Sequence, residues 1–101
     1  MTPKEKKRLR GIAHHLNPVV TLGDQGVTDA VVGETERALS DHELIKTRVN
    51  MLDRDARKSA GNELADRTGA TIIQIIGKVW VLYRQNPDPD PKLSNLTRFS
   101  A

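Results

Sequence analysis

Apolar positions recur along this chain with two different periods, and the switches between them mark out its elements. Leu9, Ile12, Ala13 and Leu16 stand at i, i+3, i+4 and i+7, one face of a helix. Thr2 suits the N-cap of that helix, Pro3 its first position, and Glu5 completes a Thr-x-x-Glu capping box. The helix is expected to run from about Pro3 to Leu16, where Asn17-Pro18 stops it. Lys4, Lys7 and Arg8 point away from its apolar stripe. Val19 to Leu22 reads as a short strand, broken by Gly23-Asp24-Gln25-Gly26. Thr28 caps a second helix reaching about Ser40, with Val31, Thr35, Ala38 and Leu39 inward. From Leu44 to Val49 the period becomes two: Ile45, Thr47 and Val49 alternate with Leu44, Lys46 and Arg48. Lys46 and Arg48 therefore share one face of a sheet. Asp53 caps a third helix that ends before Gly69, rich in Ala and Gly and weak in its apolar face.

Thr71 to Arg84 reads as a hairpin turning at Gly77-Lys78, where Gly first in a two-residue loop suits a type II′ turn. Simple alternation puts Ile73, Ile75, Trp80 and Leu82 on one side, as core. It leaves Ile72, Gln74, Val81 and Tyr83 on the other, open to solvent, the tail or a partner. After Gln85 the run Asn86-Pro87-Asp88-Pro89-Asp90-Pro91 cannot pair regularly, so residues 85–101 are expected to be a mostly extended tail. Leu93, Leu96 and Phe99 are its candidate docking residues. The element order α-β-α-β-α-β-β places the chain in the α/β class, with a mixed four-stranded sheet and helices packed on it.

Charge changes this picture more than composition does. At 101 residues, 37% hydrophobic and 29% charged, the chain fits one globular domain. Without cysteine it can form neither disulfides nor thiolate metal sites. Its first residues lack the apolar core of a signal peptide and no apolar run is long enough for a membrane span, so a cytoplasmic setting without membrane contact is expected. The net charge is +3, yet residues 1–10 alone carry +4 through Lys4, Lys6, Lys7, Arg8 and Arg10 against Glu5. That asymmetry fits either a polyanion partner or a solvated helix face.

Enzymatic motifs are missing. His42-Glu43 is not followed by the second histidine of a zinc-binding His-Glu-x-x-His. Ser40, Asp41 and His42 are neighbours in sequence, which is not how a catalytic triad is recognised. His14 and His15 diverge on their helix, and there is no phosphate-binding or dinucleotide fingerprint. No catalytic residue, cofactor or metal is expected. The Gly23–Gly26 loop is more informative. Glycines let a foreign backbone come close, and the loop leads to a helix start whose amides lack intrahelical partners. It is either a phosphate-binding loop or an ordinary strand-to-helix turn. Asp24 repels phosphate, whereas Lys46, Arg48, Lys78 and the first helix offer charge that the loop lacks. With only Trp80, Tyr83 and Phe99 as aromatics, RNA binding would rest on phosphate and shape.

Taken together, "VVTLGDQGVT" (Val19–Thr28), "ALSDHELIKTRV" (Ala38–Val49) and "IIGKVWVLYR" (Ile75–Arg84) resemble the CRM domain family, in particular its free-standing bacterial YhbY-like members. The likeness spans roughly residues 4–84, with residues 1–84 as the domain and 85–101 as the tail. It implies a fold similar to the C-terminal domain of translation initiation factor three and an RNA-binding role with precursors of the large ribosomal subunit. It also implies RNA contact at Gly23, Asp24, Gln25 and Gly26, with Lys46 and Lys78 inside matching motifs. Asp24 departs from the small, polar or basic residues usual there. To these are added Arg48 and the first-helix cations Lys4, Lys7, Arg8 and Arg10, about five phosphate contacts in all. The corresponding log–log salt slope is roughly −3.5 to −4.5. The rival expectation is a protein-interaction module contacting a ribosomal protein or assembly factor through the Ile72/Val81/Tyr83 face or the tail.

Overall fold

A computed structural model describes residues 1–99. The elements in chain order are α1 (Pro3–Ala13), β1 (Pro18–Leu22), α2 (Asp29–His42), β2 (Leu44–Val49), α3 (Arg54–Thr68), β3 (Thr71–Ile76), β4 (Val79–Tyr83) and a short α4 (Asn95–Arg98). The four strands form one sheet in the order β1-β2-β4-β3. β1 runs parallel to β2, and the other pairs are antiparallel. The sheet is mixed because α2 must carry the chain back between β1 and β2, while the tight hairpin folds β4 directly onto β3.

Local chemistry sets the helix ends. Thr2 Oγ1 accepts from the Glu5 amide at 3.1 Å, Thr28 Oγ1 from Val31 at 3.2 Å, and Asp53 Oδ2 from Ala56 at 3.0 Å. α1 stops three residues short of Leu16. His15 and Leu16 donate to Ile12 and Ala13, so the end tightens into i→i+3 bonds before Pro18. α2 runs two residues past Ser40 and ends on Glu43, a non-glycine residue at φ +62°. The hairpin turns at Gly77, whose φ is +57°. Lys78 is not at positive φ, which selects a type II′ turn over a type I′ turn.

Both faces of the sheet are buried, and this corrects two expectations. On one face α2 and α3 pack Leu39, Leu64 and Ala65 against Leu22, Ile45, Val49, Trp80 and Leu82. On the other, α1 packs Leu9, Ile12 and Ala13 against Leu44, Ile73 and Val81. The pairing of β3 with β4 slips between Ile72 and Gln74. That bulge reverses the side on which Ile72 and Ile73 fall. Ile73 lies under α1, Ile72 packs towards α3, and Ile75 is half exposed. The face expected to be open at Ile72, Val81 and Tyr83 is therefore not open: Val81 is fully buried beneath α1 and Tyr83 packs beside it. α3 compensates for its small apolar face by close approach, since a Cβ on Gly61 would lie 2.5 Å from the Trp80 ring.

The tail is not extended throughout. Asp90 Oδ1 accepts from Lys92, and the Asp90 carbonyl accepts from Leu93 and Ser94, which turns the chain into α4. The buried Glu43 carboxylate accepts from the Asn86 amide and from Ser94 Oγ, each at 2.8 Å. Asn95 Nδ2 donates to the Leu44 carbonyl at 2.7 Å, and Phe99 stacks on His15. Strain at Glu43, about 1–3 kcal/mol for such a conformation, is thus offset by bonds that bind the tail to the start of β2.

Candidate nucleic-acid interface

Three connections meet at one end of the sheet. Gly23 follows the last residue of β1, Asn50 the last of β2, and Gly77-Lys78 joins β3 to β4. Backbone bonds hold them together: Asn50 donates to the Leu22 carbonyl and Val49 to the Lys78 carbonyl, both at 2.7 Å. Lys78 Nζ reaches Asn50 Oδ1 at 3.5 Å. Arg48 lies beside Thr21 across the β1–β2 pairing and beside Val79 across β2–β4, so it belongs to the same end. Lys46 is one pleat further down, half-buried on the same face as Arg48.

The loop itself is a turn closed by the Gly26 amide on the Gly23 carbonyl at 2.9 Å, with Asp24 and Gln25 exposed at its corners. Gly26 sits at φ +77°, a conformation that disfavours any side chain. Gly23 differs. Its φ is not positive, and a Cβ there would meet nothing within 4 Å. The free protein has no internal need for glycine at this position.

The start of α2 is less receptive to phosphate than expected from unpaired amides. Thr28 already takes the Val31 amide, and Asp29 places a carboxylate in the first turn. Arg67 binds Asp29 at 3.1 Å and donates to the Val27 carbonyl at 3.3 Å, tying this turn to α3. Of the leading amides of α2, those of Val31 and Val32 are thus taken by Thr28.

The first-helix cations are not brought to the loop. α1 lies over Leu44, Ile73 and Val81; Leu44 is the first residue of β2 and pairs with Tyr83, the last residue of β4. Glu5 and Arg8 both act electrostatically on Tyr83, whose phenol is raised above the ordinary range first by burial and then by Glu43 and Glu5. Leu22, just before the loop, pairs instead with Val49 at the opposite end of β2. Five residues of strand separate those rows, about 17 Å. Arg8 thus stands towards the Tyr83 end, away from the loop; on the same helix Lys4 and Lys7 are exposed and Arg10 is half-buried.

A model of the CRS1/YhbY (CRM) domain matches residues 1–84. The chain belongs to this family. Its fold is similar to the solution structure of a hypothetical protein from Staphylococcus aureus described as a candidate RNA binder, with a TM-score of 0.75 and 30% identity over 87% of this chain and 92% of that one. A Pseudomonas aeruginosa protein named as a probable RNA-binding protein is 42% identical over 100 residues, covering 99% of this chain and 96% of the relative. A Haemophilus influenzae protein named RNA-binding protein is 44% identical over 88 residues, 87% of this chain and 89% of the relative.

In this CRM domain the loop end also gathers residues that alternation did not single out. Asn50 links the loop to the hairpin, and Arg54, Arg57 and Lys58 project from the first turns of α3 beside Gly77. The signal was present as three cations within five residues behind the Asp53 cap. None of Lys46, Arg48, Lys78, Arg54, Arg57 and Lys58 is in an ion pair among the described residues. His42, considered for chemistry, instead bonds through Nδ1 to the Leu93 carbonyl at 2.8 Å, and Glu43 holds the tail. Among the described residues no group of histidines and carboxylates is arranged to hold a metal, and no helix is long and apolar enough to cross a membrane.

Proposed function

We propose that this CRM domain is a non-catalytic RNA-binding protein of the cytosol that docks on ribosomal RNA in a precursor of the large subunit. Family membership and relatives named as RNA-binding proteins support RNA. The restriction to large-subunit precursors follows the likeness to free-standing bacterial members. In this reading the Gly23–Gly26 loop lets a ribose–phosphate backbone lie against the chain. Lys46, Arg48 and Lys78 fix its orientation through phosphate contacts. Lys4, Lys7, Arg8 and Arg10, at the other end of the sheet, act at longer range during approach.

Gly23 carries the proposal. Neither backbone angle nor packing requires glycine there, and at the loop end, beside cations without ion pairs, the missing side chain leaves room for a foreign backbone to come close. The test is co-sedimentation with ribosomal precursors, with crosslinked RNA sequenced. The domain should travel with large-subunit precursors and crosslink to their RNA, and the pair Arg48→Glu and Lys78→Glu should abolish both while the protein stays folded. Unchanged sedimentation of the charge-reversed protein would point to a protein contact and overturn the reading.

A further inference from the structure

Between α3 and the β3–β4 hairpin lies a groove of about 770 Å³ that opens at the same end of the sheet, on the face opposite Lys46 and Arg48. Its volume is within the ~300–1,000 Å³ range that accommodates small organic groups. Arg54, Arg57 and Lys58 line one wall with Asp55 as the only carboxylate, and Ile75 and Trp80 provide an apolar side and floor. Arg54 and Lys58 are exposed and stand four residues apart, on one face of the helix. Arg57 is half-buried and anchored, its guanidinium donating to the Met51 carbonyl at 2.9 Å. Ile75 is 50% exposed although its strand partner Trp80 is buried. The Trp80 Nε1–H has no acceptor in the protein, alone among buried side-chain polar atoms of the described residues. Buried donors are rarely left so.

We propose that this groove takes one unpaired nucleotide of the bound RNA, its phosphate between Arg54 and Lys58 and its base laid over Ile75 towards the indole. The inference rests on the RNA-binding reading and extends it from backbone contact to recognition of an unpaired base. The charge of the wall calls for an anion, and the apolar floor calls for a flat group attached to it. A phosphate alone would leave Ile75 uncovered, and an apolar peptide would leave three cations unmatched. A nucleotide freed from its stack supplies both parts.

The experiment compares an RNA duplex carrying one bulged uridine with its fully paired counterpart. Affinity is read from a fluorophore on the RNA, and groove occupancy from the emission of Trp80, the chain's only tryptophan. The native domain should prefer the bulged RNA by about five- to 150-fold, the range of one base contact, and its tryptophan emission should change with that RNA alone. The double variant Arg54→Gln, Lys58→Gln removes side chains that hold nothing else in the fold. It should lose the preference and the emission change while still binding the paired RNA. Equal binding of both RNAs by the native domain with unchanged emission would overturn the groove proposal and leave RNA binding standing. Binding of neither RNA would overturn both.

Discussion

Removing charge from Lys46 and Arg48 offers a quantitative test of where RNA sits. Both side chains face the same side of β2, and neither has an ion pair or side-chain hydrogen bond among the described residues. Changing both to glutamine therefore leaves no stranded partner, and any effect on binding is a loss of RNA contact. Each neutralised phosphate contributes about −0.7 to −0.9 to the slope of log affinity against log salt. If both residues meet phosphates, the double variant should have a slope shallower by about 1.4 to 1.8. Extended over a fourfold rise in salt, that difference is about seven- to twelvefold in relative affinity, well within the reach of filter binding or anisotropy. The control removes the same charge from Lys4 and Lys7 on the exposed side of α1, where the slope should change by less than half as much. Equal slopes for native protein and the Lys46/Arg48 variant would refute the reasoning, as would an α1 control that matches it.

The loop glycines should separate function from fold. Gly23→Val should leave the unfolding midpoint unchanged while weakening RNA binding about tenfold or more, the worth of a charge-assisted hydrogen bond lost to steric exclusion; native-like binding would make the loop a turn and nothing else. Gly26→Val adds a side chain at φ +77° and should cost at least ~1–2 kcal/mol in denaturant unfolding, so its binding defect alone is not diagnostic. Gly61→Ala forces a methyl into the Trp80 ring, and overpacking of roughly 1–3 kcal/mol should outweigh the ~1 kcal/mol that alanine gains in a helix. A raised unfolding midpoint would contradict that, and shortening Trp80 to leucine in the same chain should recover part of the loss. Tyr83 holds its proton more tightly folded than unfolded, so its contribution is complete below the ordinary tyrosine range and is lost as pH rises through the folded value. Tyr83→Phe should flatten the alkaline decline of stability above about pH 10, and an identical decline in both proteins would show that the phenol is not its source.

Much of the fold was legible because its signals are local. Asp53 and Gly69 bracket α3, Gly77 sets the hairpin, and the alternation from Leu44 to Val49 is uninterrupted. What periodicity could not show was the bulge at Ile73, since one extra residue inverts every side chain beyond it and no residue type announces it. The burial of Val81 was missed for another reason: it lies on the side that alternation gave, but α1 covers that face. The tail docks through Leu96 and Phe99, two of its expected residues, but its polar anchors were missed for a different reason. Its docking depends on Ser94 and Asn95, polar residues that look solvated until the buried Glu43 carboxylate and the Leu44 carbonyl are placed opposite them. The candidate site was legible in part: Arg48 and Lys78 were named from sequence, but Arg54, Arg57 and Lys58 come beside Gly77 only through the packing of α3 on the sheet.

Charge pairing gives the molecule a direction. Arg67 is held by Asp29 and Glu63, and Arg84 by Glu36, the Thr68 carbonyl and Ser40 Oγ; these cations join α2 to α3 and to the end of β4. Their work is internal, and their charge is answered where it stands. At the loop end six cations have no carboxylate in contact, although Asp24 and Asp55 lie nearby in the chain. Gathering like charges without answering them raises the free energy of the folded state through mutual repulsion. Nothing in the packing requires it, because Arg48, Arg54 and Lys58 are exposed and hold no neighbour by their side chains. Asp24 then has a natural place. If RNA sits at this end, a carboxylate at the tip of the loop reduces its pull on polyanions in general without covering Gly23.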